Sequence, residues 1–168
     1  MEALFAETLT AASNGLSYLA LLGALCIPDT CASLEAPDGR TTGPLYEAWF
    51  DKHLGHIYQK PGLSGESCYQ FRCALLHQGT TEAPDPVKGF ARVIFLIPGT
   101  STVFMHRNVL NDAYNIDLAA FCSDMVNAAR VWQQTAVGTQ PYERNAEKLI
   151  SLHPSGLPPY IVGLPVIG

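Results

Sequence analysis

Ser64-Gly-Glu-Ser-Cys-Tyr-Gln-Phe-Arg-Cys-Ala-Leu-Leu-His-Gln-Gly79 reads as one complete α-helix with both ends written into the chain. Ser64 has a hydroxyl suited to accept a first-turn amide, Glu66 places negative charge at the positive end of the helix dipole, and Gly79 suits a left-handed terminator. Pro61-Gly62 before it and Pro84 and Pro86 after it keep the helix from extending. At about 100° per residue, Cys68, Phe71, Leu75 and Leu76 share an apolar arc with Arg72 near its middle, and His77 falls in the last turn.

Outward from this helix the pattern stays helical. Leu9, Ala12, Leu16, Leu19, Leu22 and Cys26 recur at helical spacing and predict one long helix from Glu2 to about Cys26, ended by Pro28. Residues 28 to 44 hold three prolines and Asp38-Gly39, which predicts loop with room for one turn near Cys31 to Glu35. Leu45 to Leu54 predicts another helix. Beyond Asn115, the stripe Leu118, Phe121, Cys122, Met125, Ala129, Trp132 and Ala136 predicts a second long helix to about Thr135, ended by Gly138. Pro141 opens a shorter one through about Leu152.

One β signal interrupts the series. Arg92-Val-Ile-Phe-Leu-Ile97, bounded by Pro98-Gly99 and followed by Thr102-Val-Phe-Met105, predicts a small antiparallel hairpin over about 91–106. The Pro-rich apolar tail, 153–168, is expected to lie along the domain or a second subunit. The expectation is a single mainly α domain over 1–168, a helical bundle with a small inserted β-hairpin.

Composition narrows the function classes. Hydrophobic residues make up 48% and charged residues 15%, which excludes intrinsic disorder and suggests a rather apolar surface open to a partner. The net charge of -5 gives no general attraction to nucleic acid or anionic lipid, so any such contact needs a local patch. Lys88, Arg92, Arg107 and Arg130 are candidates for a basic rim near the end of the Ser64–Gly79 helix. Five cysteines, Cys26, Cys31, Cys68, Cys73 and Cys122, suit reduced thiols, and the expected location is cytoplasmic. The apolar run Leu16 to Ile27 is short of the roughly 20 residues of a spanning helix. With no Lys or Arg before Arg40, it is read as a buried core helix and no membrane association is expected.

Arg72 and His77 are the candidate catalytic residues. A guanidinium in an apolar arc is costly unless it is paired or opens on a cleft, and Glu47 or Asp51 are candidate internal partners. Five positions place His77 about 140° around the helix and roughly 7.5 Å along it, so the two meet only if Arg72 extends or a two-fold mate faces them. The spacing Arg-x4-His is common by chance in a chain with six Arg and five His, and context must discriminate. His53 and His56 resemble half a metal site without a second pair. The cysteine spacings lack the two-residue gap of zinc knuckles, and no nucleotide-binding fingerprint occurs. No cofactor or metal is expected.

The stretch from Leu63 to Gly79 resembles the signature helix of bacterial HEPN-domain proteins. The likeness extends more loosely to the first helix, to Tyr46–Leu54, and to Phe121-Cys-Ser-Asp-Met-Val with Trp132. In many members a polar residue follows the motif arginine, whereas here it is Cys73. The resemblance implies a dimeric helical bundle whose Arg-x4-6-His motif lines a cleft. It implies metal-independent RNA cleavage in which Arg72 holds the phosphate and His77 moves protons, in a toxin or phage-defence setting with a cognate antitoxin or other partner protein. A noncatalytic HEPN-like dimerisation or RNA- or nucleotide-binding module is the alternative, and a structural dimer with Arg72 in an internal ion pair is a third.

Overall fold

The computed structural model describes residues 1–58, 62–80, 92–97 and 104–168. Helices α1 (Glu2–Ser13), α2 (Ser17–Glu35), α3 (Gly43–Tyr58) and α4 (Gly65–Gln78) come first. Strands β1 (Arg92–Leu96), β2 (Asn108–Leu110) and β3 (Ala113–Asp117) lead into α5 (Leu118–Ala136) and α6 (Gln140–Ala146). Four two-residue strands end the chain: β4 (Leu152–His153), β5 (Gly156–Leu157), β6 (Ile161–Val162) and β7 (Val166–Ile167). The fold is mainly α-helical with a few small strands, as expected.

The N-terminal helix breaks where one helix was expected. Gly15 adopts φ 72, a conformation that suits glycine, and the Leu16 amide reaches back to the Ala11 carbonyl. The chain reverses there, and α1 packs against α2 closely enough that a Cβ on Gly23 would lie 2.4 Å from Thr8 Oγ1.

Pro28, expected as a terminator, lies inside α2, which continues to Glu35. An interior proline costs roughly 3 kcal/mol. The turn it permits buries Pro28 itself with Cys31, Ala32 and Leu34, and burying one leucine stabilises by about 1.5–3 kcal/mol, which offsets that cost. Thr30 donates its hydroxyl to the Cys26 carbonyl, and Tyr46 of α3 donates to the Leu25 carbonyl, so backbone acceptors around the proline find partners. The segment expected as loop thus carries two further helical turns.

α2 is the axis of the molecule and touches each of the other five helices. By length and composition it is the one helix among the described residues that could cross a membrane, but in this fold more than half of it is buried. Aromatic side chains fill the space around it. Trp49 of α3 meets Trp132 of α5 edge-on at 6.2 Å between centroids, and Trp132 meets Tyr142 of α6 at 5.8 Å. Asn145 of α6 is buried and donates to the Ser33, Leu34 and Ala36 carbonyls, closing the end of α2.

The sheet differs from the expected hairpin. β1 runs parallel to β3, from Arg92 opposite Ala113 to Leu96 opposite Asp117, in a sheet of order β1-β3-β2. The hairpin is β2–β3, turned by Asn111-Asp112 with φ 52 and 57. Two left-handed residues are what a tight two-residue hairpin demands, and Asn and Asp tolerate that conformation. The expected turn at Pro98-Gly99 and strand residues Thr102-Val103 lie outside the described residues, as do Pro61, Pro84 and Pro86; Phe104 and Met105 are described and are not in a strand. The last helix also ends early, at Ala146.

Candidate functional site

α4 forms with the ends its sequence predicts. Ser64 accepts the Ser67 amide at 3.2 Å, and Gly79 adopts φ 69 while its amide reaches the Leu75 carbonyl and the Thr80 amide reaches that of Ala74. α3 locks the start of the helix. Asp51 accepts the Gly65 amide at 2.7 Å, and a Cβ on Gly65 would lie 2.2 Å from the Glu47 carbonyl oxygen. Cys68, Phe71 and Ala74 are buried, so Arg72 and Cys73 sit at the border of the apolar face.

Arg72 is anchored to Asp29 of α2, and neither Glu47 nor Asp51 is its partner. Nε donates to Asp29 Oδ2 at 2.6 Å, with the two side chains 22% and 13% exposed. That bond engages the inner edge of the guanidinium. Among the described residues Nη1 also makes a weak contact with Cys73 Sγ at 4.0 Å. Burial works against the Arg72 charge, but the Asp29 carboxylate outweighs it and raises the guanidinium's pKa. Burial pulls the Asp29 carboxyl up against the downward pull of Arg72.

Thiols and phenols surround the pair. Burial, reinforced by Asp29, raises the Cys26 thiol, while Arg72 pulls it down. Burial pushes Cys68 up to about 12, and its sulfur lies 3.3 Å from Tyr46 Oη. All five cysteines are free thiols. Burial favours the neutral thiol at Cys26 and Cys68.

His77 is exposed in the last turn of α4, and no hydrogen bond or ion pair joins it to Arg72 among the described residues. The two share one helix, Arg72 held through Nε and His77 exposed at the carboxyl end.

The expected basic rim is described only in part. Arg107 donates to the Ile57 carbonyl near the end of α3, Arg130 pairs with Glu2 of α1 at 3.0 Å, and Arg92 begins β1. Lys88 lies outside the described residues. His53 stacks on Trp49 at 4.8 Å, and burial, with help from Lys52, lowers its pKa, while His56 is exposed. Among the described residues no group of three or more His, Cys, Asp and Glu is placed to hold a metal.

A polar cluster escaped the sequence reading. Asp124 Oδ2 accepts from Tyr58 Oη at 2.8 Å and lies 3.6 Å from His106 Nε2, while His106 Nδ1 accepts the Asp117 amide at 3.2 Å. Burial, then Arg107, lowers the His106 pKa against the pull of Asp124. With Nδ1 occupied by an amide and Nε2–H turned to a carboxylate, the ring has no lone pair to offer a substrate. The cluster therefore clamps the end of α3 to the start of α5. Its members lie far apart in the chain, and no local motif announces them.

A mainly apolar cavity of about 300 Å³ opens between the start of α2 and β1, lined by Tyr18, Leu21, Val93, Phe95 and Leu118 with Ser17 and Arg92 beside them, and it includes neither Arg72 nor His77. Comparison of the chain with protein-family models, curated proteins and solved structures finds no match.

Proposed function

We propose that the chain is a HEPN-like homodimer that cleaves RNA without a metal, as a toxin or phage-defence component. The observation that carries this reading is the hold on Arg72: Asp29 takes Nε at 2.6 Å, on the same helix as an exposed His77. An arginine steadied in this way can offer two parallel donors to a phosphate.

In the proposed reaction, the ribose 2′-hydroxyl attacks the adjacent phosphorus and gives its proton to the neutral imidazole of one His77. Arg72 stabilises the negative charge on the phosphoryl oxygens. The P–O5′ bond breaks, and the departing oxygen takes a proton from the protonated His77 of the second copy. The products are a 2′,3′-cyclic phosphate and a 5′-hydroxyl. Two copies related by a two-fold axis supply both the base and the acid.

A second reading, a noncatalytic HEPN-like module that binds RNA or a partner protein, is favoured by the neutralisation of Arg72 by Asp29 in a chain of net charge -5. Purified chain incubated with mixed RNA in excess chelator separates the two, run beside Arg72→Ala and His77→Ala. The nuclease reading expects cutting that both substitutions abolish, with the helical circular dichroism retained. RNA retained but uncut by the unaltered chain supports the binding module.

A further inference from the structure

A second cavity, of about 190 Å³, opens between the end of α2 and α3. α2 lines it with Ala32, Glu35 and Ala36, and α3 with Ala48, Trp49 and Lys52. The alanines leave the space, and Trp49, itself only 3% exposed, forms an aromatic wall. Neither Arg72 nor His77 lines it.

Opposite charges stand on its rim without meeting. Glu35 and Lys52 are both exposed, and no ion pair joins them among the described residues. Both act on the His53 ring, which stacks on Trp49 at 4.8 Å: burial lowers the ring's pKa, Lys52 adds to that shift, and Glu35 opposes it. Glu35 also stands at the unfavourable end of its helix. It is the last residue of α2, where the dipole is negative, and the final turn holds no basic residue. The Asn145 amide meets the last carbonyls there but brings no positive charge. A cation in this corner is favoured by the carboxylate, by the helix end and by the indole beside it. Lys52, on the other wall, repels a ligand that carries only that cation and attracts one that also carries an anionic group.

We propose that this cavity binds a small zwitterion, a free α-amino acid with an apolar side chain, its ammonium at Glu35 and Trp49 and its carboxylate at Lys52. The alanine-lined space takes the side chain. The cavity is smaller than the roughly 300–1,000 Å³ of drug-sized sites and close to the about 150 Å³ that holds a benzene, which limits the ligand to about the size of valine. The site stands independently of the RNA chemistry proposed for Arg72 and His77.

Calorimetric titration of the full chain with L-valine tests this, beside isovalerate, which lacks the ammonium, and isobutylamine, which lacks the carboxylate. Valine is expected to bind with a Kd on the order of 1 mM, the range open to so small a ligand. It is also expected to change the emission of the two tryptophans, which touch edge-on. Each analogue is expected to bind at least about threefold more weakly than valine, and valine to bind Glu35→Gln and Lys52→Gln more weakly by the same factor, the scale of one exposed charge contact. Ala48→Leu, at an exposed helical position, fills the space without changing charge and is expected to abolish binding with unchanged helical circular dichroism. No heat or emission change up to about tenfold above that Kd, an analogue that binds as tightly as valine, or charge or Ala48→Leu variants that bind like the parent overturn the proposal.

Discussion

Asp29 Oδ2 accepts a hydrogen bond from Arg72 Nε at 2.6 Å, joining the central helix of the fold to the helix that carries the candidate site. The bond crosses from the turn just after Pro28 to the apolar border of α4. It answers the cost of placing a guanidinium on that face, and it fixes which edge of the group points outward.

Arg72→Ala leaves the Asp29 carboxylate partly buried without its partner. The expected loss is roughly 1–3 kcal/mol, below the figure for a fully buried pair because both side chains retain some solvent. Asp29→Asn keeps an acceptor for Nε and is expected to cost less, about 1 kcal/mol. Urea denaturation measures both. An Arg72→Ala chain as stable as its parent contradicts the role given to the pair.

Stability is expected to fall as the solution is acidified below pH about 6.5, the ordinary histidine pKa. His106 and His53 both have lowered pKa values in the folded chain, so the unfolded chain binds protons first. Their contribution is complete above the unfolded value and is lost as the pH falls through the lower folded values, at up to about 1.4 kcal/mol per pH unit for each proton. His106→Asn keeps an acceptor near the Asp117 amide and removes one titrating ring. Thermal melts at stepped pH should show a shallower acid slope for this variant, and an unchanged slope contradicts the assignment.

Gly65 and Gly79 stand at the two ends of α4 for different reasons. A Cβ at Gly65 meets the Glu47 backbone at 2.2 Å, whereas at Gly79 nothing lies within 4 Å and the constraint is φ 69 alone. Gly79→Ala is expected to cost about 1 kcal/mol. Gly65→Ala is expected to cost more, roughly 2–3 kcal/mol, because two helices must separate. Equal losses in chemical denaturation contradict this account of the α3–α4 approach.

Local signals in the chain were legible and cooperative ones were not. The boundaries of α4 follow from Ser64 and Gly79, and the stripe from Leu118 to Ala136 marks α5, because caps and periodicity act within a few residues. Pro28 misleads because the burial gained around it exceeds a local cost that the sequence displays plainly. That one reading hides Asp29 as well: a residue expected in a loop is in fact on α2 facing α4, so Glu47 and Asp51 look like the available carboxylates. β3 reads poorly as a strand because Asn115 and Asp117 interrupt its apolar character, yet Asn115 is buried and Asp117 caps α5 by accepting the Ala120 amide. Arg72 and His77 stand out by residue type alone, whereas the anchor of Arg72 on Asp29 depends on the helical turn after Pro28.

End-group analysis of RNA incubated with the full chain in excess chelator tests the central claim most directly. The account predicts fragments ending in 2′,3′-cyclic phosphate and beginning with 5′-hydroxyl, absent from parallel digests with Arg72→Ala or His77→Ala. Intact RNA, or fragments with 3′-hydroxyl and 5′-phosphate ends, contradicts it.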